Sequence, residues 1–231
     1  MVSVNFTTDL SIFVQILTGI VSIQGIFVKL PDEHTILNEV LAAETLVQLI
    51  ELFFYGYFLK SMAVASLPQM ASIRYFDWVI TTPTMLLTTI VYFKYEEYME
   101  KNKGKILHFV DFLKENTQNI ITIVVCNFLM LLFGYLGETG AIDMMSSIIL
   151  GFIFFAYTFY IIYTKYAVKS QQAMKLFNFI FSIWTMYGIA AILGPYQKNI
   201  MFNILDIFAK NFFGLYLYYK IIMISQSSTA V

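Results

Sequence analysis

The sequence predicts an all-α membrane protein, a bundle of seven transmembrane helices. Hydrophobic residues fill 59% of its 231 positions and charged residues 13%, with a mean hydropathy of +0.72. Ordinary soluble domains are about 25% charged. Seven apolar segments can be counted. Each is long enough to cross roughly 30 Å of hydrocarbon at about 1.5 Å per residue. Backbone polar groups inside a bilayer must be satisfied within the chain, which favours helices.

The segments are expected near 9–29, 37–60, 71–94, 118–136, 142–165, 172–193 and 199–223, forming one domain over residues 1–231. Turn formers mark the breaks at Leu30-Pro31-Asp32, Ser66-Leu67-Pro68, Gly137–Gly140 and Gly194-Pro195. Lysines set the orientation. Lys94, Lys101, Lys103, Lys105 and Lys114 lie between the third and fourth segments, and Lys165, Lys169 and Lys175 between the fifth and sixth. Lys29 and Lys220 fall on the same side, against Lys60 and Lys198 on the other. The N-terminus is therefore expected outside and the C-terminus in the cytoplasm. The link between the third and fourth segments also holds Glu96, Glu97, Glu100, Asp111 and Glu115. This mixture reads as a solvated helical extension.

Composition excludes some functions. A net charge of −1 argues against nucleic acid as a partner. The single cysteine, Cys126, leaves no internal disulfide. Met1–Leu10 has no basic region, so no cleavable signal peptide is expected. Asn5-Phe6-Thr7 fits a glycosylation sequon, a triplet common by chance.

Lys210 falls in the middle of the last apolar run, Ile200 to Ile222. A lysine there costs about 3 kcal/mol even on forgiving insertion scales, so it needs a partner or a function. Asp206 lies one turn back on the same face, and Asn203 continues that face. A structural ion pair is the plain alternative. The third segment reads Arg74-Tyr75-Phe76-Asp77-Trp78-Val79-Ile80-Thr81-Thr82-Pro83, and Arg74 is the only arginine. Arg74, Asp77 and Thr81 share a face. Two cations and two carboxylates would cancel if the third and seventh segments met in the core.

Arg-Tyr-x-Asp-Trp-x-x-Thr-Thr-Pro at 74–83, with Asp-x-x-x-Lys at 206–210, resembles the microbial (type 1) rhodopsins. Gly134-Tyr135-Leu136-Gly137-Glu138 and Trp184-x-x-Tyr187 are also similar to that family. The resemblance implies the seven-helix bundle of the microbial rhodopsin type. It implies all-trans retinal bound covalently to Lys210 as a protonated Schiff base, with Asp77 and Asp206 as counterions balanced by Arg74. Trp78 and Trp184 would sandwich the polyene, Tyr187 would pack beside them, and Thr81, Thr82 and Met85 would complete the site. Two positions depart from the family. Gly188 stands where a proline is expected, which weakens the kink there. Ala191 stands where a pocket tryptophan is expected, which loosens the ring end.

Proton pumps of that family carry a carboxylate eleven residues after the counterion, a position occupied here by Thr88. Threonine cannot supply a proton near neutral pH. No Asp or Glu occurs from Met144 to Leu205, where pumps place release carboxylates. The second segment instead carries Glu44, Gln48, Glu51 and Tyr55 on one helical stripe. The first carries Ser11, Gln15, Thr18 and Ser22 at the same spacings. With Asn203, these stripes would face one another as a hydrated, acid-lined path, and such oxygens favour cations. Glutamates at heptad spacing resemble channelrhodopsins and the compact viral rhodopsins of giant algal viruses. The short loops fit the viral group better. Plain hydrogen bonding between helices is the structural alternative for Glu44 and Glu51.

The expected function is a light-gated channel for monovalent cations and protons in a lipid bilayer, and not an enzyme. An outward proton pump is the alternative, and a photosensor the third reading, although Ser225–Val231 is too short for a signalling domain. Ser11, Glu44 and Asn203 are expected to form a constriction, with Glu51 about two turns from Glu44 and outside the retinal motif. Asn127 and Cys126 could tune the cycle, with ordinary packing the simpler role for Cys126. The resemblance leaves a homo-oligomer open.

Overall fold

The computed structural model describes residues 3–61, 66–101 and 105–229. Lys103 and the end of the tail, Ala230 and Val231, lie outside them. The long helices are α1 (Val4–Ile26), α2 (Ile36–Ser61), α3 (Leu67–Lys101), α4 (Phe109–Glu138), α5 (Met144–Lys165) and α6 (Gln171–Ala191). The seventh crossing is composite. It begins as α7 (Pro195–Asp206), passes through a π turn at Ile207–Asn211 and continues as α8 (Phe212–Thr229).

Local signals explain the ends. Ser3 caps α1 by accepting from the Phe6 N–H, Asp143 caps α5 through Ser146, and Ser170 caps α6 through Gln172 and Ala173. Pro195 opens α7 in its first turn. Gly140 adopts φ 74° in the tight turn between α4 and α5, where a left-handed residue is needed. Pro83 stands inside α3 without ending it.

Two boundaries differ from expectation. The third helix runs on to Lys101 instead of ending near 94, and the fourth starts at Phe109 instead of 118. The charged residues there continue the helices, with Lys94 bonded to Glu97 at 3.0 Å. Glu96 is not solvated as expected: it is buried and paired with Lys220.

Among the described residues, six helices are long and apolar enough to cross a membrane by length and composition: α1, α3, α4, α5, α6 and the composite seventh. The remaining long helix, α2, spans 26 residues but holds Glu44 and Glu51 within it. The chain is an integral, multi-pass membrane protein. Phe13, Leu17 and Ile20 of α1 and Phe53 of α2 are exposed, whereas Thr7, Ser11, Gln15, Thr18 and Ser22 of α1 are buried. This inverts the pattern of a soluble helix: apolar side chains face lipid and polar ones face the bundle. In sequence order α1, α2, α3, α4 and α5 pack as successive neighbours, and α1 and α2 both also pack on α8. The three faces α1, α2 and α8 thus enclose a polar interior.

Candidate functional site

Lys210 is buried in the π turn at 1% exposure. Its Nζ bonds to the Asp77 carboxylate of α3. Glu51 of α2 lies 3.6 Å away and Asp206 of α7 4.0 Å away. The π turn inserts a residue into the helical register at the lysine, and such turns recur at functional sites.

Asp206 is held from three sides. One oxygen accepts from Arg74 at 3.1 Å and Tyr55 at 2.7 Å, and the other accepts from Tyr187 at 2.7 Å. Arg74 also donates to the Asn203 side-chain oxygen, and its guanidinium lies 4.9 Å over the Phe58 ring. Asn203 in turn donates to Thr7 at 2.8 Å and Thr8 at 3.0 Å. This end of the site is thus tied rigidly to α1, α2 and α3.

The charge count differs from the expected two against two. Glu51 brings a third carboxylate to face Lys210 and Arg74. Glu51 therefore belongs to the lysine cluster, where the sequence placed it outside the retinal motif. The sequence placed it on the right face of α2 and nearer mid-membrane than Glu44, but not among the partners of Lys210.

Beyond Lys210 an apolar cavity is walled by Trp78, Thr82, Met85, Trp184, Tyr187 and Ala191, among others. Both tryptophans line it. Trp78 packs edge-on against Tyr187 at 5.5 Å and Phe202 at 5.1 Å. Thr81 is buried below, its hydroxyl donating to the Asp77 main-chain oxygen at 3.0 Å and not to the carboxylate. Thr82 donates to the Trp78 carbonyl at 2.7 Å and accepts from Asn127 at 2.8 Å. α6 runs through Gly188 unbroken, and a Cβ there would collide with the Phe152 ring. Phe152 thus uses space that the missing side chain leaves.

The expected Ser11–Glu44–Asn203 constriction is not formed. Ser11 donates to the Asn203 carbonyl at 2.9 Å, but Glu44 accepts from the Thr88 hydroxyl. Glu44 lies two turns from Glu51 along α2, so it belongs to the opposite side of Lys210 from Asn203. Gln15, Ser22, Gln48, Glu44 and Asn211 all carry buried polar atoms without a protein partner. Such groups are normally satisfied by ordered water. Asn211 escaped the sequence reading: its side-chain oxygen accepts from Thr18 at 2.5 Å. Its position next to Lys210 was the available signal, but its direction depends on the π turn.

At the lysine-rich end, Lys220 pairs with Glu96 and donates to Tyr92 at 3.0 Å. Tyr95 and His34 meet there at 2.8 Å. His34 lies outside the membrane helices; burial holds its pKa below the ordinary histidine value despite Glu33 beside it. At the opposite end Lys198 is paired with Glu138 at 2.8 Å.

The model of the bacteriorhodopsin-like protein family matches residues 6–224. The chain belongs to that family. A viral rhodopsin, OLPVRII, has a similar structure, with a TM-score of 0.79 and 26% identity over 93% of this chain and 95% of that one. Blue light-absorbing proteorhodopsin from Med12 gives 0.71 at 21% identity, covering 95% and 97%. Bromide-bound halorhodopsin from Halobacterium salinarum gives 0.69 at 14%, covering 94% and 93%. The last two likenesses speak to the fold alone. No curated protein sequence matched.

Members of this family normally bind retinal through a lysine. The residues present fit that group. A buried amine and its carboxylates close one end of a slot whose walls are flat and apolar.

Proposed function

We propose that this rhodopsin binds all-trans retinal on Lys210 and works as a light-gated channel for monovalent cations and protons. When bound there, retinal supplies absorption of visible light and an isomerisation that re-aims the Nζ proton. Asp77, already bonded to Nζ, accepts that proton. Asp206 stays clamped by Arg74, Tyr55 and Tyr187, so it acts as a fixed counter-charge. Trp78, Trp184, Tyr187, Thr82 and Met85 hold the polyene and exclude water on their side of the lysine.

The observation that carries the channel reading is the band of buried, unpartnered polar atoms on Gln15, Ser22, Glu44, Gln48 and Asn211. It runs past Lys210 between α1, α2 and α8. A dry interface would leave these groups costly; a water-filled path satisfies them and its oxygens favour cations. The lysine distribution orients the path, with the N-terminus outside and the lysine-rich end in the cytoplasm.

One observation favours an outward proton pump as the second reading. Thr88 cannot donate a proton, but it is bonded to Glu44, so α2 provides the carboxylate that α3 lacks. Whole-cell photocurrent across a range of voltages decides between them. A channel current reverses near the ion's equilibrium potential, whereas a pump current keeps its direction. Glu44→Gln should change a channel's reversal potential or amplitude by about threefold or more at unchanged colour. In a pump it should slow return of the proton, and added azide should restore the rate.

A further inference from the structure

Gln48 lies between the two glutamates of α2, one turn from Glu44 and one from Glu51. It is 1% exposed, and its Nε2 donates to the main-chain carbonyl of Lys210 at 3.5 Å. Its Oε1 has no protein partner. That carbonyl belongs to the π turn, where the regular i→i+4 ladder is interrupted. The side chain is seated by a glycine of α8 and passes close to one of α1. A Cβ at Gly214 of α8 would come within 2.7 Å of Gln48 Nε2 and 3.4 Å of Ser22 Oγ. A Cβ at Gly19 of α1 would lie 4.0 Å from Gln48 Oε1. Gly214 therefore leaves a notch in α8 that this one amide fills.

We propose that Gln48 is the positioning residue that couples the main chain of Lys210 to the polar path. With the carbonyl in place, the amide is a septum between the Glu51–Asp77–Lys210 cluster and the Glu44–Thr88 pair. When the π turn shifts under Lys210, the contact opens, the amide swings, and water joins the two compartments. The contact is long for an amide bond, so small main-chain motion suffices to break it. No proton passes through Gln48, because an amide does not titrate. The inference rests on the proposal that Lys210 carries the chromophore and that ions pass beside it.

The test compares wild type, Gln48→Leu and Gly214→Ala, each reconstituted with retinal. Gln48→Leu keeps volume without donors; Gly214→Ala leaves Gln48 intact but pushes it from its seat. Both should form pigment, because neither residue lines the retinal slot. With carbonyl-13C-lysine label, light-minus-dark infrared spectra of wild type should show a lysine carbonyl band that changes on illumination. That band should move to higher frequency, or vanish, in both variants. Photocurrent amplitude or closing rate should change by about threefold or more, the size expected of a contact that carries coupling. Pigmented variants with an unchanged carbonyl band and unchanged currents overturn the proposal. Should Gln48→Leu fail to form pigment, Gly214→Ala carries the same two readouts. A wild type without reversing current defeats the channel reading alone; the infrared band still decides the coupling.

Discussion

Where α5 meets α6, the interior is built of rings. Phe155 stacks on Phe181 at 5.5 Å, Phe177 on Phe181 at 5.8 Å, and Phe159 meets Trp184 at 5.7 Å. Where α1, α2 and α8 meet, the buried side chains include Gln15, Thr18, Ser22, Glu44, Gln48 and, from the π turn, Asn211. The polar side chains are buried, the aromatic side reaches the bundle surface at Phe181, and Lys210 stands on the border. The aromatic side satisfies itself by dispersion and ring-edge contacts. The polar side leaves atoms that only water, ions or protons can satisfy. One bundle thus keeps an apolar slot next to a polar wall. The difference is set by which helix faces carry oxygen and nitrogen.

Lys210→Ala breaks the comparison most completely. The dry slot remains, but nothing joins it to the polar side. The purified variant should fold and stay colourless with retinal, read by visible absorbance. Lys198 cannot substitute, since it is held by Glu138 at the far end. A covalent visible pigment in Lys210→Ala would move the attachment site elsewhere.

Glu51→Gln sharpens the border. Because Glu51 lies 3.6 Å from Lys210 Nζ, neutralising it should shift the absorption maximum to the red as well as change the photocurrent. Asp77→Asn, which removes the directly bonded carboxylate, should shift it further. Absorption spectra of the two variants at neutral pH check the order. A spectrum unchanged by Glu51→Gln would return that residue to the path alone.

Much of this site is legible in the sequence. Arg74, Asp77, Asp206 and Lys210 declared themselves because charges in an apolar run need partners, and helical spacing put them on common faces. The polar stripes of α1 and α2 were legible for the same reason. What failed was depth. Periodicity gives the face of a helix but not how far it slides along its neighbours. Glu51 was expected nearer mid-membrane than Glu44 but not beside Lys210, and Glu44 found Thr88 instead of Ser11. The π turn was equally hidden, since nothing in Ile207–Asn211 distinguishes it from an ordinary helix. With it went the direction of Asn211.

Packing tests the two sides at smaller scale. Gly188→Ala on the dry side forces a methyl against the Phe152 ring. It should destabilise the pigment by about 1–3 kcal/mol, as overpacking does. Gly56 of α2 meets nothing within 4 Å of a built Cβ. Gly56→Ala should therefore raise stability by up to about 1 kcal/mol through helix propensity. Thermal bleaching of the two pigments measures both; equal effects would remove the packing contrast.

The smallest expected effect lies at the lysine-rich mouth of the polar side. His34 contacts the Tyr95 hydroxyl at 2.8 Å, and Glu33 lies 3.4 Å from its other ring nitrogen. Burial lowers its pKa first; Glu33 and Glu96 act to raise it and Lys220 to lower it further. The folded protein therefore holds neutral His34 more strongly than the unfolded chain does. The unfolded histidine takes its proton near the usual value of about 6.5, before the folded one. This contribution to stability is present above that value and is lost as pH falls through the lower, folded pKa. Its size is small because His34 is only partly buried. Melting of wild type should thus decline slightly between about pH 7 and pH 5.5, where carboxylates in ordinary surroundings stay ionised. His34→Gln keeps a polar side chain without the titration, so its melting curve should be flatter over that interval. Equal slopes in the two proteins would assign the acid sensitivity to another group.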